Sequence, residues 1–425
     1  PPPPPPPPPP LFQADDGIRD VAVGLVGSEM CIRDRYLSMR RKEGINTAKD
    51  AAKMAFIHER PGWPEFSWDS EALAGVLAAV RHKQGRHLGK METLGFDLRT
   101  EASVTALTDE VVKSSAIEGE HLDPAEVRSS IARKLGLDVA GLPRPGREVD
   151  GIVEMMLDAT RNFAAPLTAE RLFGWHAALF PTGRSGIRRI TVGAWRTREA
   201  GPMQVVSGPV GRETVHFEAP DAERLQAAME SFLQWWNASS EIDPVLDAAV
   251  AHLWFVTIHP FEDGNGRIAR AIADMALSRA DRTKDRFYSM SSGIEAERRE
   301  YYRQLEAAQR GDLEITEWLA WFLGCLDRTL DDADETLSSV LHKARLWQRI
   351  SPNPVNERQR KVINRMLNDF KGHLTTSKYA KLAKCSNDTA LRDIRELLAR
   401  GIVVKNPGGG RSTSYRLAEP GEVWA

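Results

Sequence analysis

The sequence has very little cysteine: three residues in 425, Cys31, Cys325 and Cys385. They are too few and too scattered for a disulfide framework or a zinc site, so both are excluded. Long apolar runs are also missing. The longest one near the start, Val21 to Gly27, is far too short to span a bilayer and has Asp and Arg around it. The sequence therefore predicts a soluble protein with no membrane segment, in a reducing cytoplasm.

The first residues of the chain carry little information about a fold. Ten prolines open it, residues 11–35 have no sustained helix or strand period, and residues 27–35 resemble a translated sequencing adapter. We therefore treat residues 1–38 as a non-native or disordered leader, with Met39 or Met54 as the expected natural start. With 42% hydrophobic and 27% charged residues, the composition is typical of a globular protein, here of about three domains.

The chain is organised around residues 259–270, His-Pro-Phe-Glu-Asp-Gly-Asn-Gly-Arg-Ile-Ala-Arg. Before this stretch, residues 243–258 form an apolar pattern with an N-cap aspartate and a first-turn proline, which predicts a helix. Two glycines within the stretch allow a tight turn. After the turn a second helix is predicted, on which Arg267 and Arg270 point the same way.

This arrangement suits a polyphosphate. Backbone N–H groups at Asn265, Gly266 and Arg267 lie at a predicted helix N-terminus, where the helix dipole favours an anion and glycine lets a phosphate approach the chain closely. Arg267 and Arg270 lie one turn apart, so both can grip the outer phosphates by paired hydrogen bonds.

Two further side chains of the stretch have the chemistry of a transfer reaction. Asp263 is placed to hold a Mg²⁺ ion that bridges phosphate oxygens, since that ion prefers one or two carboxylates plus phosphate and water. His259 ends the preceding helix and is the only group there with a solution pKa near neutrality. It is therefore the expected base that takes a proton from an incoming hydroxyl. Glu262 is expected to have no role beyond solvation.

The stretch resembles the signature of the Fic family, His-x-Phe-x-(Asp/Glu)-Gly-Asn-Gly-Arg-x-x-Arg, and matches it at every fixed position. The resemblance implies a mainly helical core with a β-hairpin flap. It also implies transfer of AMP from ATP, with Mg²⁺, to a Ser, Thr or Tyr hydroxyl of a target protein. By position it makes His259 the base, Asp263 the magnesium ligand and Phe261 the residue that anchors the loop in the core.

The same resemblance assigns the phosphate contacts. Gly264, Asn265 and Gly266 become the anion hole, while Arg267 and Arg270 hold the β- and γ-phosphates. Relatives that transfer a phosphate carry Lys at the position of Gly266 and bind the nucleotide reversed. This chain therefore resembles the AMP-transferring kind.

A second motif lies upstream, in a helix predicted at residues 101–119. Its packed stripe ends at Ser114 and Glu118, so Glu118 is predicted to face inward and to need a cation. Ser114, Glu118 and Gly119 match the (Ser/Thr)-x-x-x-Glu-(Gly/Asn) inhibitory motif of many Fic proteins. We hypothesise that Glu118 pairs with Arg270 and keeps ATP out of a productive pose. Positioning a water molecule to remove AMP from a modified target is an alternative use of this glutamate.

The resemblance places the Fic core at residues 150–330. Within it, residues 203–206 and 215–217 have strand character with a turn-forming stretch between them, which predicts a β-hairpin. As the family's flap, this hairpin would align the target by strand addition, and a plain surface loop is the alternative. Tyr301 and Tyr302 lie where relatives line the adenine pocket, and a packing role for them is equally open.

The C-terminal part is basic: residues 354–417 hold 14 Lys and Arg against 5 Asp and Glu, a net charge of +9. After a connecting helix at residues 331–353, this part is predicted to form three short helices and two strands, which resemble a winged helix-turn-helix. The resemblance places Arg392 and Arg395 near a DNA groove and Arg411 on the wing at a phosphate. A winged helix that docks protein instead of DNA is the alternative.

The sequence thus predicts a mainly α fold: a helical region at residues 54–140, the Fic core with its flap, and the winged helix-turn-helix. Two functions remain open. One is an autoinhibited protein adenylyltransferase, and the other is a DNA-binding transcriptional regulator whose core only senses ATP. An intact His259 favours the enzyme, because sensing needs no base. The target protein, the DNA site and the oligomeric state, a homodimer included, are left open.

Overall fold

The computed structural model of the protein is mainly helical and describes residues 33–36, 56–137, 142–207, 214–238, 242–350, 353–367, 370, 372–407 and 413–418. The helices are α1 (Ser70–Glu92), α2 (Phe96–Ile117), α3 (Pro124–Lys134), α4 (Arg147–Arg161), α5 (Ala169–Leu179), α6 (Leu225–Asn237), α7 (Pro244–Ile258), α8 (Asn265–Asp281), α9 (Met290–Ala296), α10 (Arg298–Arg310), α11 (Thr316–Ile350), α12 (Glu357–Leu367), α13 (Thr376–Ala383) and α14 (Asn387–Ala399). The strands are β1 (Arg33–Tyr36), β2 (Arg184–Ser185), β3 (Arg188–Arg189), β4 (Met203–Ser207), β5 (Thr214–Glu218), β6 (Val403–Lys405) and β7 (Tyr415–Leu417).

Two helices that pack against each other, α7 and α8, form the centre of the main core. Helix α7 begins as the sequence predicts: Asp243 accepts a hydrogen bond from Val245 N (2.9 Å), and Pro244 occupies the first turn. Apart from Asp247, every residue from Val245 to Ile258 is buried. A helix buried on all sides reads as a continuous apolar run, which is the pattern that the sequence shows here.

Helix α2 ends in a cap of three consecutive exposed residues, Glu118, Gly119 and Glu120. The helix starts at Phe96, earlier than predicted, and stops at Ile117, so Glu118 is its C-cap residue. Gly119 follows with φ +85°, and the backbone N–H groups of Gly119 and Glu120 donate to the carbonyls of Ala116 and Ser115, each at 3.0 Å. This is a Schellman motif, in which a glycine takes the left-handed position and satisfies the last carbonyls of the helix. Glu118 therefore lies at the end of the packed stripe rather than within it.

The strand pair β4–β5 is antiparallel, and the turn between them, residues 208–213, lies outside the described residues. On its other side β4 pairs with β1, in the segment that the sequence analysis treated as a leader without structure. The pairing has a simple cause, since an open strand edge offers unpaired N–H and C=O groups to any extended segment.

A single helix, α11, runs without a break through the boundary predicted at residue 331. Its last turns place Leu346 and Ile350 in a second hydrophobic core, built with α12, α13 and α14. Strands β6 and β7 pair antiparallel beside these helices. No helix in the described part of the chain is both long and apolar enough to cross a membrane.

Candidate active site

His259 lies at the junction of α7 with the glycine-rich loop. It takes the left-handed backbone conformation, with φ +53° and ψ +58°, which ends the helix and turns the chain. Its Nδ1 lies 3.1 Å from the carbonyl oxygen of Val256, and because a carbonyl only accepts, Nδ1 carries the proton. Nε2 then keeps its lone pair, which is the form that a general base requires.

The loop after His259 is held by its own contacts. Asn265 accepts a hydrogen bond from Phe261 N and donates one to Phe261 O, both at 2.9 Å. The Phe261 ring is fully buried and stacks on His176, with 4.2 Å between ring centroids. Arg196 Nε donates to the carbonyl oxygen of His259 at 2.8 Å and fixes the start of the loop. Phe261 therefore lies where an anchor of the loop is expected.

Glu262 is buried, although the sequence predicts for it no role beyond solvation. It is only 8% exposed, forms an ion pair with Arg188 (2.7 Å) and accepts a hydrogen bond from the backbone N–H of Thr191 (3.2 Å). A buried carboxylate needs such partners. The expectation was wrong because both partners lie more than seventy residues earlier in the chain. Glu262 ties the loop to the β2–β3 hairpin.

Asp263 lies at the cavity side of the loop, and its carboxylate is accessible. Its side chain is 32% exposed; one carboxylate oxygen accepts a hydrogen bond from Gly264 N (2.5 Å), and the other accepts one from Ser185 Oγ. Within the described residues, no group of three or more His, Cys, Asp or Glu could hold a metal alone. One accessible carboxylate still fits Mg²⁺, because that ion takes its remaining ligands from phosphate and water.

Arg270 is held by the end of α2. Its Nε donates to Ser114 Oγ (2.9 Å), and its Nη2 donates to the Ser114 carbonyl (2.9 Å) and to Glu118 Oε1 (2.8 Å). The side chain is 2% exposed, and Nη1 has no hydrogen-bond partner among the described residues. Oε1 of Glu118 also lies directly over Gly266, where an added Cβ would collide with it. The Glu118 carboxylate thus neutralises Arg270 and fills the space beside the N-terminus of α8.

A second carboxylate, which no motif in the sequence indicates, meets the other arginine. Glu120 Oε2 lies 2.7 Å from Arg267 Nη1, while Asp263 lies 3.8 Å from Nη2. The Arg267 side chain is 4% exposed and its guanidinium lies over the Phe180 ring, 5.1 Å from the centroid. Burial raises the pKa of the Glu120 carboxyl. The only sign of this contact in the sequence is an acidic residue two positions after Glu118.

Tyr301 and Tyr302 reach the site from α10. Tyr301 is buried, its hydroxyl lies 3.0 Å from His252 Nε2, and burial raises its pKa to about 12. Burial also lowers the pKa of His252 to about 3, so this histidine is neutral. The Tyr302 hydroxyl donates to the carbonyl of Ile117, at the end of α2 (3.2 Å). Both tyrosines therefore pack in the core and face the site.

These side chains surround one cavity of about 320 Å³. Its lining includes the catalytic and metal candidates, the arginine of the helix terminus, the carboxylates of the α2 cap and both tyrosines: His259, Asp263, Arg267, Glu118, Glu120, Tyr301 and Tyr302. The volume is that of a small-molecule site. These residues come from three separate parts of the chain, which the fold brings to one place.

Comparison with protein families accounts for two parts of the chain. Residues 166–277 match the model of the Fic/DOC family. The chain carries a Fic/DOC family domain. Residues 56–137, which include α1, α2 and the cap with Glu118, match a domain of unknown function, DUF4172.

Several curated proteins similar to this chain carry a functional name. Protein adenylyltransferase Fic of Culex quinquefasciatus is 30% identical over 234 residues, which are 54% of this chain and 42% of that protein. Protein adenylyltransferase fic-1 of Caenorhabditis elegans is 29% identical over 206 residues, 48% of this chain and 37% of the relative. The chain therefore spans about two fifths of the length of these relatives. Among solved structures, a Fic family protein from Desulfovibrio desulfuricans is 21% identical with a TM-score of 0.47, covering 83% of this chain and 97% of that one.

The β4–β5 pair of the Fic domain is fastened to α10 through a bulge. The register of the pair shifts between Val205 and Val206, which leaves His216 as the extra residue of β5. Its Nε2 lies 2.6 Å from Ser207 Oγ and its Nδ1 lies 2.8 Å from Glu306 Oε2. A bulge re-aims a side chain in this way and is common next to active sites. Val205 of the same strand lines the cavity, so the strand pair lies at its edge.

His176 of the Fic domain makes stability depend on pH. Gly193 N donates to Nδ1 (3.2 Å) and Nε2 faces the Asp263 carbonyl (3.2 Å), while burial lowers the pKa of His176 from 6.5 to about 4. Between those values the unfolded chain binds the proton and the folded chain does not, so stability falls as pH falls from 6.5 towards 4. In His176→Gln the amide can replace both hydrogen bonds. The urea midpoint of unfolding should therefore fall less from pH 7 to pH 5 in this variant than in the wild type.

The exposed His82, substituted in the same way, serves as the control and should keep the wild-type pH dependence. His252 contributes in the same window and keeps part of the dependence in His176→Gln. If the urea midpoint shifts between pH 7 and pH 5 as much in His176→Gln as in the wild type, His176 is not a source of the pH dependence.

Two of the three residues predicted to contact DNA, Arg392 and Arg395, are described, and neither lines the cavity. Arg392 and Arg395 are exposed on α14, and Arg411 lies outside the described residues. Helix α14 is held by Asp393, which is 5% exposed and accepts hydrogen bonds from Arg358 Nε (3.0 Å) and the Tyr379 hydroxyl (3.1 Å). The two exposed arginines therefore flank a buried anchor on the same helix.

Proposed function

We propose that this protein transfers AMP from ATP to a Ser, Thr or Tyr hydroxyl of a target protein, and that it rests in an inhibited form. The observation that carries the proposal is one cavity lined by the imidazole of His259, the accessible carboxylate of Asp263 and the buried Arg267, with the buried Arg270 paired to Glu118 of the same lining. The curated relatives named protein adenylyltransferase support the same activity.

The triphosphate lies against the N-terminus of α8. The backbone N–H groups of Asn265, Gly266 and Arg267 offer hydrogen bonds there, and the helix dipole favours the negative charge. Arg267 and Arg270 hold the β- and γ-phosphates, and Tyr301 and Tyr302 border the adenine. Asp263 would hold Mg²⁺, which would neutralise phosphate charge.

The chemical step needs one proton acceptor. Nε2 of His259 takes the proton of the target hydroxyl, whose oxygen forms a bond to the α-phosphorus. The bond from that phosphorus to the oxygen bridging it to the β-phosphate breaks, and pyrophosphate leaves. The left-handed backbone of His259 ends α7 and turns the chain, and the imidazole stays at the cavity.

Glu118 restrains this reaction by occupying two parts of the site. Its carboxylate pairs with Arg270, which then cannot hold the γ-phosphate, and it fills the space over Gly266 that a phosphate needs. ATP that enters alongside Glu118 therefore binds without the geometry for in-line attack. The same carboxylate is also placed to position water, so removal of AMP from a modified target is the second activity to test.

Incubation with Mg²⁺ and ATP labelled at either the α- or the γ-phosphate tests the proposed reaction. The α-label should appear on protein and the γ-label should not, because only AMP is transferred. Appearance of the γ-label on protein would instead mean that the reaction is that of a kinase. Absence of both labels, even with Glu118 replaced by Gly, would leave ATP sensing as the function of the Fic domain.

The β4–β5 strand pair is the proposed flap that aligns the target. An added strand receives main-chain hydrogen bonds and so tolerates varied sequences. The pairing of β4 with Arg33–Tyr36 of the chain itself supports this use, because it places a strand on that edge.

For the C-terminal part we propose a winged helix-turn-helix that binds DNA, with α14 as the recognition helix. The net charge of +9 and the exposed Arg392 and Arg395 support it. Affinity for duplex DNA should fall steeply with salt, and Arg392→Ala with Arg395→Ala should lower the logarithmic salt slope by about 2. Fluorescence anisotropy across a salt series measures both.

Arg198→Ala is the control for the DNA experiment, since this arginine is 84% exposed and lies outside the C-terminal part. Its slope should equal that of the wild type. Binding that is insensitive to salt, or no binding to DNA, would favour a winged helix that docks protein.

A further inference from the structure

The cap of α2 presents two carboxylates to two arginines, and the inhibitory motif accounts for only one of the pairs. Glu118 is the C-cap residue and meets Arg270, whereas Glu120 lies two positions later and meets Arg267. Gly119 between them has φ +85°, which lets the chain reverse so that both side chains reach α8. The two pairs are therefore parts of one local structure.

Glu120 and Arg267 differ greatly in exposure. The Glu120 side chain is 48% exposed, while that of Arg267 is 4% exposed and is fixed by the Phe180 ring. Glu120 can therefore turn into water without moving the helix, whereas Arg267 stays at the cavity. Burial already raises the pKa of Glu120, so part of the attraction of Arg267 offsets the desolvation of this carboxylate.

We propose that Glu120 is a second gate, which sets the affinity for the nucleotide by competing with its phosphates for Arg267. The inference rests on the proposed function, which makes Arg267 a phosphate ligand. Glu118 and Glu120 then control different quantities. Glu118 prevents the productive pose, whereas Glu120 must leave Arg267 before a β-phosphate can bind there.

A nucleotide series separates this role from a general effect on structure. In Glu120→Gln the side chain keeps its shape and loses its charge, so Arg267 is left for the ligand. The affinities for ADP and ATP, measured with Mg²⁺ by calorimetry on the full chain, should rise about threefold to tenfold. The affinity for AMP should stay unchanged, because AMP has no phosphate to place on Arg267.

Glu101→Gln is a matched control. Glu101 lies on α2, the helix whose cap is followed by Glu120, and its side chain is also 48% exposed. It forms an ion pair with Arg128 at 2.6 Å, and neither residue lines the cavity. Its loss removes the same charge from the protein and should leave all three affinities at the wild-type values. An equal gain in both variants would mean that overall charge, and not Arg267, controls binding.

Kinetics provide a second readout in a background where the first gate is open. In Glu118→Gly, adding Glu120→Gln should lower the KM for ATP about threefold to tenfold and leave kcat unchanged, since Glu120 touches no reacting atom. Unchanged or weaker ADP and ATP binding in Glu120→Gln, a parallel change for AMP, or no nucleotide binding by either protein would overturn the inference. Tight, Glu120-dependent ATP binding without AMP transfer would refute the proposed activity alone.

Discussion

Replacing Glu118 with glycine is expected to raise the rate of AMP transfer roughly 10- to 100-fold, the factor that corresponds to releasing about 1.4 to 2.8 kcal/mol of competing interaction. The substitution removes the 2.8 Å bond to Arg270 and empties the space over Gly266 at the same time. Both changes favour a γ-phosphate on Arg270. Initial rates are measured with α-labelled ATP at saturating concentration. Under this condition they report the effect on the pose of bound ATP and not the effect on its affinity.

Glu118→Gln separates the two contributions of this side chain. It keeps the volume over Gly266 and loses the charge that holds Arg270. If charge is the main restraint, the Gln variant should approach the rate of the Gly variant; if volume dominates, it should remain near the wild type. Equal rates in all three proteins would contradict autoinhibition by Glu118. The C-cap position tolerates each of these residues, so the variants should fold.

The local parts of this site could be predicted from the sequence because their signals are local. The cap at Asp243, the helix that follows, the glycine turn and the paired arginines all lie within one stretch of the chain. Resemblance added one distant contact, between Glu118 and Arg270, which the structure places at 2.8 Å. The helical periodicity alone predicts only that Glu118 needs a cation as a partner.

The contacts that were missed join residues far apart in the sequence, for which no motif exists. Glu120 and Arg267 are separated by 147 positions, and Glu262 and Arg188 by 74. In the local sequence Glu262 is only a polar residue in a loop, although residues distant in the sequence bury it. In the same way, α11 continues across the boundary predicted at residue 331 and packs against α1, a contact that a local pattern does not contain.

Replacing His259 is expected to lower AMP transfer by about 10² to 10⁴-fold, the usual contribution of a general base. Asn is a better replacement than Ala, because His259 has φ +53° and Asn tolerates this left-handed backbone at little cost. An Asn amide can also donate to the Val256 carbonyl, as His259 Nδ1 does at 3.1 Å, but it has no basic nitrogen. The loss should appear in kcat, in the Glu118→Gly background where activity is highest.

ATP binding should survive in His259→Asn, since the triphosphate is held by the N-terminus of α8 and its arginines and not by the imidazole. Calorimetry with ATP and Mg²⁺ therefore serves as the test of an intact site, and His82→Asn, on the exposed face of α1, as the control for losing a histidine. Retained transfer in His259→Asn would assign the proton to another acceptor. Loss of both transfer and ATP binding would instead mean that His259 shapes the loop, a role that the bond from Arg196 to its carbonyl already performs without the imidazole.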